Sequence, residues 1–209
     1  MAQIFDITRR ITTDLAVWPG DTAFSYEVVL SKPDSSVNLT TLTLSAHTGS
    51  HADAPFHYDS SGEHPAALPL EKYIGPAHVA TVARKRGGII PADFEGHDLE
   101  GMERLLIHTW VSDLPDGEWP DDFPYPTLEL VDWLAEKGAV LLGVDMPSVD
   151  RFDDDQIPCH HRLYEVGIVN LETLVLKDVP DGIYELVALP LKIDLVCGSP
   201  VRAILRRME

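Results

Sequence analysis

Residues 139–145, AVLLGVD, are apolar at nearly every position, and a run like that folds as a strand covered on both faces. Similar β-rich runs recur at AHVATVAR (77–84), RLLIHTW (104–110), GIVNL (167–171), YELVALPLKI (184–193) and VRAILRR (201–207). Between them TLELVDWLAEKG (127–138) has helical spacing, with Thr127 placed to cap its start and Gly138 to end it. CHHRLYEVG (159–167) reads as a second, shorter helix stopped by Gly167. Strands outnumber helices, so the expected fold is α/β, with a mixed β-sheet flanked by helices. A length of 209 residues fits one domain over 1–209, and no repeat or low-complexity linker divides it. The stretch SDLPDGEWPDDFPYP (112–126) is dense in turn formers and reads as a surface loop.

The charge narrows the partners. A formal net charge of −18 excludes a nucleic-acid or anionic-membrane binder, since phosphate contacts need clustered Lys and Arg. Two cysteines, Cys159 and Cys197, are too few for a disulfide framework. MAQIFDITRRITTD lacks the apolar core of a secretory signal, so a cytoplasmic location with reduced thiols is expected.

Three of the nine histidines fall in HTGSHADAPFH, residues 47–57. The preceding LTTLTLSA (39–46) alternates with a period of two, Leu42, Leu44 and Ala46 on one face, and reads as a strand. A tight turn closed at Gly49 would bring His47 and His51 together. If the segment after it is extended, His51, Asp53 and His57 point one way, because alternate side chains of a strand share a face. Isolated histidines are usually ordinary polar loop residues. Three with an aspartate on one side form a metal-ligand set, and a His/His/Asp shell leaves an open position of the kind catalytic metals use.

These residues carry a resemblance. HTGSHADAPFH resembles the HxGTHxDxPxH signature of the cyclase-type metal hydrolases, with Ser50 where threonine is usual. Within that group VWPGDT (17–22), GVDMPSVD (143–150), LETLVLKDVPDG (171–182) and ALPLKI…GSPVRAIL (188–205) resemble the bacterial kynurenine formamidases, or arylformamidases, from end to end. The resemblance implies a cyclase-family fold of swivelling β/α/β type and a homodimer. It also implies two Zn2+ ions per subunit, held by His47, His51, Asp53, His160 and Glu172 and bridged by Asp53 and Glu172. His57 would be the acid/base, and Trp18 a substrate-contacting aromatic. The implied reaction is hydrolysis of N-formyl-L-kynurenine, an aryl formamide, to L-kynurenine and formate in tryptophan degradation. Mn2+ or Fe2+ suit the same ligands.

Some alternatives stay open. His161 adjoins His160, and only the twelve-residue spacing to Glu172 favours His160. Asp145, Ser148 and Asp150 are candidates for hydrogen bonds behind the site. His64 reads as a loop residue that could line the entrance, His78 and His108 as sheet residues, and His97 as part of a turn. The same signature also serves hydrolases of cyclic amides such as isatin. A metal-binding module without chemistry is the reading from another class.

Overall fold

The structure is a computed structural model, and it describes residues 3–120 and 122–208. Its strands are β1 (Ile4–Asp6), β2 (Ser25–Leu30), β3 (Leu39–Thr43), β4 (His51–Asp53), β5 (Ile74–Thr81), β6 (Gly87–Ile89) and β7 (Arg104–His108). They continue with β8 (Pro124–Pro126), β9 (Leu141–Val144), β10 (Val169–Glu172), β11 (Gly182–Val187), β12 (Gly198–Pro200) and β13 (Ile204–Arg207). Two helices, α1 (Leu128–Glu136) and α2 (Pro158–Glu165), accompany them.

Nine strands form one mixed sheet in the order β1-β13-β11-β5-β7-β9-β10-β4-β12. Its middle, β5-β7-β9-β10, is parallel, and the strands on either side pair antiparallel. Alternation along the central strands divides the core. Leu105, Ile107, Leu142 and Val144 point to one face, where they meet Leu130, Val131 and Leu134 of α1 and Leu163 of α2. Leu106 and Leu141 point to the other, among Leu171, Leu186 and Leu205. The AVLLGVD strand is therefore buried on both faces, as its composition demands. Each fully buried side chain of this kind contributes about 1.5–3 kcal/mol of transfer free energy.

Both helices sit on the same face of the sheet. The opposite face is closed instead by connecting segments, through Leu68, Tyr73, Leu174 and Leu176. The Thr127 hydroxyl accepts from the Leu130 amide, capping α1. Pro158 opens α2, where its missing N–H costs nothing.

Two sequence expectations change. The strand expected over 39–46 ends at Thr43 and pairs only with β2, so β2 and β3 form a free-standing ribbon exposed at every position. Its alternation is real, yet Tyr26, Val28 and Leu42 meet no part of this chain's core. The expected surface loop at 112–126 is partly interior: Ser112, Pro120, Phe123, Pro124 and Pro126 are buried, and β8 pairs with β6.

Candidate metal centre and active site

β4 is flanked by β10 on one side and β12 on the other, so its backbone is hydrogen-bonded along both edges. That pairing sets His51 opposite Glu172 and Asp53 opposite Gly198. Gly49 (φ +64°) makes the turn before the strand in a conformation that disfavours L side chains. The imidazoles of His47 and His51 consequently face each other, ring centroids 4.9 Å apart and nearly perpendicular. Ser50 shows why a hydroxyl belongs in the signature. Its Oγ accepts from the Arg9 amide (2.8 Å) and donates to the Thr173 carbonyl (2.7 Å), tying the turn to the end of β10.

Four side chains surround Asp53. His47 Nδ1 lies 3.0 Å and His51 Nε2 3.4 Å from Asp53 Oδ1, while His160 Nε2 lies 3.2 Å from Oδ2. Glu172 closes the ring, 3.4 Å from both His51 Nε2 and His160 Nε2. Asn170 donates to Asp53 Oδ2 at 2.7 Å and to Glu172 Oε1 at 3.2 Å. His51, Asp53, His160, Asn170 and Glu172 are all buried. Yet His51 Nε2 and Asp53 Oδ1 make no well-directed hydrogen bond, only the close contacts just given. A buried polar atom left unpaired costs about 1–3 kcal/mol. Orphaned donor atoms converging on one point, all of metal-ligand chemistry, fit a cation.

The outer nitrogens of these histidines are tied back. His51 Nδ1 lies 2.8 Å from the Gly49 carbonyl, and His160 Nδ1 lies 2.7 Å from Asp150 Oδ2. Asp150 also accepts from the Cys159 and His160 amides, which fixes the first turn of α2. His160 thus points inward, whereas His161 is exposed beside Tyr58. Asp145 serves elsewhere, accepting from Thr109 and Ser112, and Ser148 Oγ accepts from the Asp150 amide.

His57 reaches the cluster by a different route from the expected extended strand. Pro55–His57 is a 3-10 turn, which swings the ring to 4.2 Å from that of His47 and 5.9 Å from that of His160. His64 lies beyond it, packed on Phe56 with Nδ1 3.0 Å from the Val196 carbonyl.

Charge follows the geometry. Burial disfavours protonated His47 and His51, but the Asp53 carboxylate outweighs it, with help from Cys197 and Glu172 respectively. The pKa values rise to about 10 and about 9. Burial likewise opposes a charge on His160, which Asp150, Asp53 and Glu172 nevertheless hold well above the usual histidine value. Asp53 is held well below the carboxylate range against its own burial, by His160, His47 and His51. His57 alone among these histidines is shifted down, chiefly by burial.

The cluster opens into a cavity of about 290 Å³, lined by Trp18, Trp119, Leu15, Val17, Pro147 and Ile157 among others. Trp18 packs edge-on to Trp119 (5.6 Å) and against Phe152 (5.0 Å). Ile157 (φ 40°) and Thr173 (φ 55°) line this cavity in left-handed backbone conformations, a strain that concentrates at functional sites. Trp119, Phe152, Asn170 and Cys197 were not singled out by the sequence. Asn170 was within reach, since it shares a strand face with Glu172.

The family model described as "Putative cyclase" matches residues 5–151. The chain belongs to the cyclase family. It is 47% identical over 206 residues to a protein named kynurenine formamidase from Bacillus mycoides, covering 98% of each. Among solved structures, a potential metal-dependent hydrolase with cyclase activity superposes with a TM-score of 0.86 at 26% identity, covering the whole of both chains. Isatin hydrolase A from Labrenzia aggregata shares the cyclase fold, with a TM-score of 0.84 at 24% identity over all of this chain and 94% of that one. These likenesses agree with the expected α/β fold.

Proposed function

We propose that this chain is a metal-dependent arylformamidase that hydrolyses N-formyl-L-kynurenine to L-kynurenine and formate, in tryptophan degradation. The observation that carries the reading is the buried cluster of ligand atoms around Asp53, of which His47, His51, His160 and Glu172 face an aromatic-walled cavity. Close relatives named kynurenine formamidase support the substrate.

His47, His51, Asp53, His160 and Glu172 would hold two Zn2+ ions, with the two carboxylates between them. Mn2+ or Fe2+ suit the same donors. When bound, such ions acidify water and polarise a carbonyl. The rest falls to the chain. His57, its ring beside that of His47 and its pKa lowered, is neutral at pH 7 and accepts the proton of the attacking water. The same nitrogen returns that proton to the aniline nitrogen as the C–N bond breaks, since an anilide anion is a poor leaving group. Water and the formamide thus become formate and a free aromatic amine. Trp18, with Trp119 and Phe152 behind it, gives the aryl ring a flat apolar wall.

The β2–β3 ribbon supports a homodimer. It exposes Tyr26, Val28, Val29, Leu30, Leu39 and Leu42, large apolar side chains of the kind an interface covers. The location we propose is cytoplasmic; no described helix is long and apolar enough to cross a membrane.

The test is to strip the protein with chelator, reload it with zinc, and measure formate release from N-formyl-L-kynurenine beside ring opening of isatin. Faster turnover of the formamide supports the proposal. A preference for isatin would transfer the chain to the cyclic-amide hydrolases. Inactivity of fully loaded protein on both would leave a metal-binding module.

A further inference from the structure

The three inward-facing histidines of the cluster are each tied at the ring nitrogen that points away from it. For His51 the partner is a backbone carbonyl and for His160 a carboxylate. For His47 it is a thiol: Nε2 lies 3.1 Å from Cys197 Sγ. We infer that Cys197 is a positioning residue of the metal centre, accepting the Nε2–H of His47 so that Nδ1 is left free to ligate; this rests on the metal-dependent reading above.

The backbone holds this contact in place from both sides. Cys197 stands just before β12, and its carbonyl accepts from the Ala54 amide at 3.0 Å, beyond the end of β4. The next residue, Gly198, lies against the same imidazole. A Cβ there would stand 3.0 Å from His47 Cε1 and 3.1 Å from the Ala52 carbonyl. Both distances are tighter than ordinary van der Waals contact, so the glycine lets the strand pack closely beside the His47 ring while Cys197 meets one of its nitrogens. His47 needs this more than its neighbours do. His51 and His160 are buried, whereas His47 is only partly covered and lies on a turn. With Nε2 held as a donor, the ring presents its lone pair at Nδ1, 3.0 Å from Asp53. Outer partners of this kind orient the ligand and raise its basicity, and their loss costs about 10–100-fold in metal affinity.

The test uses the full chain, stripped of metal and titrated with Zn2+ against a chromophoric chelator, for the wild type, C197A, the near-isosteric C197V and C197S. The expected result is zinc binding weakened about 10–100-fold in C197A and C197V and largely recovered in C197S, whose hydroxyl can accept. Recovery in C197S but not in the near-isosteric C197V separates an accepting role from packing, a difference that a merely structural cysteine would not show. Zinc binding in C197A and C197V as tight as in the wild type would overturn the inference and leave the metal reading intact. A wild type that binds no zinc would remove both. Cobalt(II) loading of the wild type gives a separate reading. A thiolate-to-cobalt charge-transfer band would make Cys197 a direct ligand and overturn the positioning role, and its absence supports that role.

Discussion

Asn170 donates from one amide nitrogen to both Asp53 and Glu172, at 2.7 and 3.2 Å, and so holds two buried carboxylates side by side. Without a neutral donor between them, two like charges repel strongly in a water-poor interior. Asn170→Leu keeps the volume and removes the donor. The expected outcome is metal affinity lower by about 10–100-fold, with the metal-free protein destabilised by about 1–3 kcal/mol. Chelator competition and urea unfolding measure the two, and wild-type values in both would show that Asn170 has no such role.

His57 sits on a 3-10 turn rather than on the sheet. Replacing it by alanine should cut turnover by about 10²–10⁴-fold, with metal content by elemental analysis unchanged. Asp53→Ala should instead lower occupancy itself. If His57→Ala retained full turnover, the proton would have to travel through another group.

Metal binding should be strongly pH dependent. His47 and His51, with pKa values raised to about 10 and about 9, carry protons at pH 7 in the metal-free protein, and a cation must displace them. Affinity should therefore tighten as pH rises from 6 to 9, with protons released on binding. The metal-free protein follows the opposite trend. The stability these two protonated histidines lend is complete below their unfolded pKa of about 6.5 and is lost as pH rises through about 9 to 10. Zinc titrations in weak buffer and thermal melts across this range measure both, and a flat affinity profile would contradict the charge states assigned.

Trp18→Ala removes the outer aromatic wall without touching a ligand atom. KM for an aryl formamide should rise, and metal loading should stay as in the wild type. An unaltered KM would reduce Trp18 to packing against Trp119 and Phe152.

The ribbon offers a test of assembly. Val28 and Leu42 are exposed on β2 and β3, and in the ladder Tyr26 pairs with Leu42 while Val28 pairs with Thr40. The double variant Val28→Asp, Leu42→Asp should sediment as a monomer where the wild type sediments as a dimer. A monomeric wild type would end the homodimer proposal.

What was legible in the sequence was local. The buried β9 strand announces itself by an apolar run, α1 by its cap, and the pairing of His51 with Asp53 by the period of two. The period of two does not extend to His57, because Pro55 opens a 3-10 turn, and the turn rather than the strand delivers the ring. The β2–β3 ribbon shows that alternation marks an apolar face without saying which surface covers it. Cys197 and Trp119 were hidden for a different reason. Cys197 meets a histidine 150 positions away through β4–β12 pairing, and Trp119 enters the cavity from a stretch whose prolines and aspartates read as exterior.

β4 is paired along both edges, so His51 and Asp53 inherit the stiffness of the sheet, whereas Trp18, Trp119 and Phe152 hang from loops. Chemistry and taste are thereby mounted on separate parts. Remodelling the loops can retune which acyl compound is admitted while the cutting machinery stays put, so one scaffold can diversify without being rebuilt.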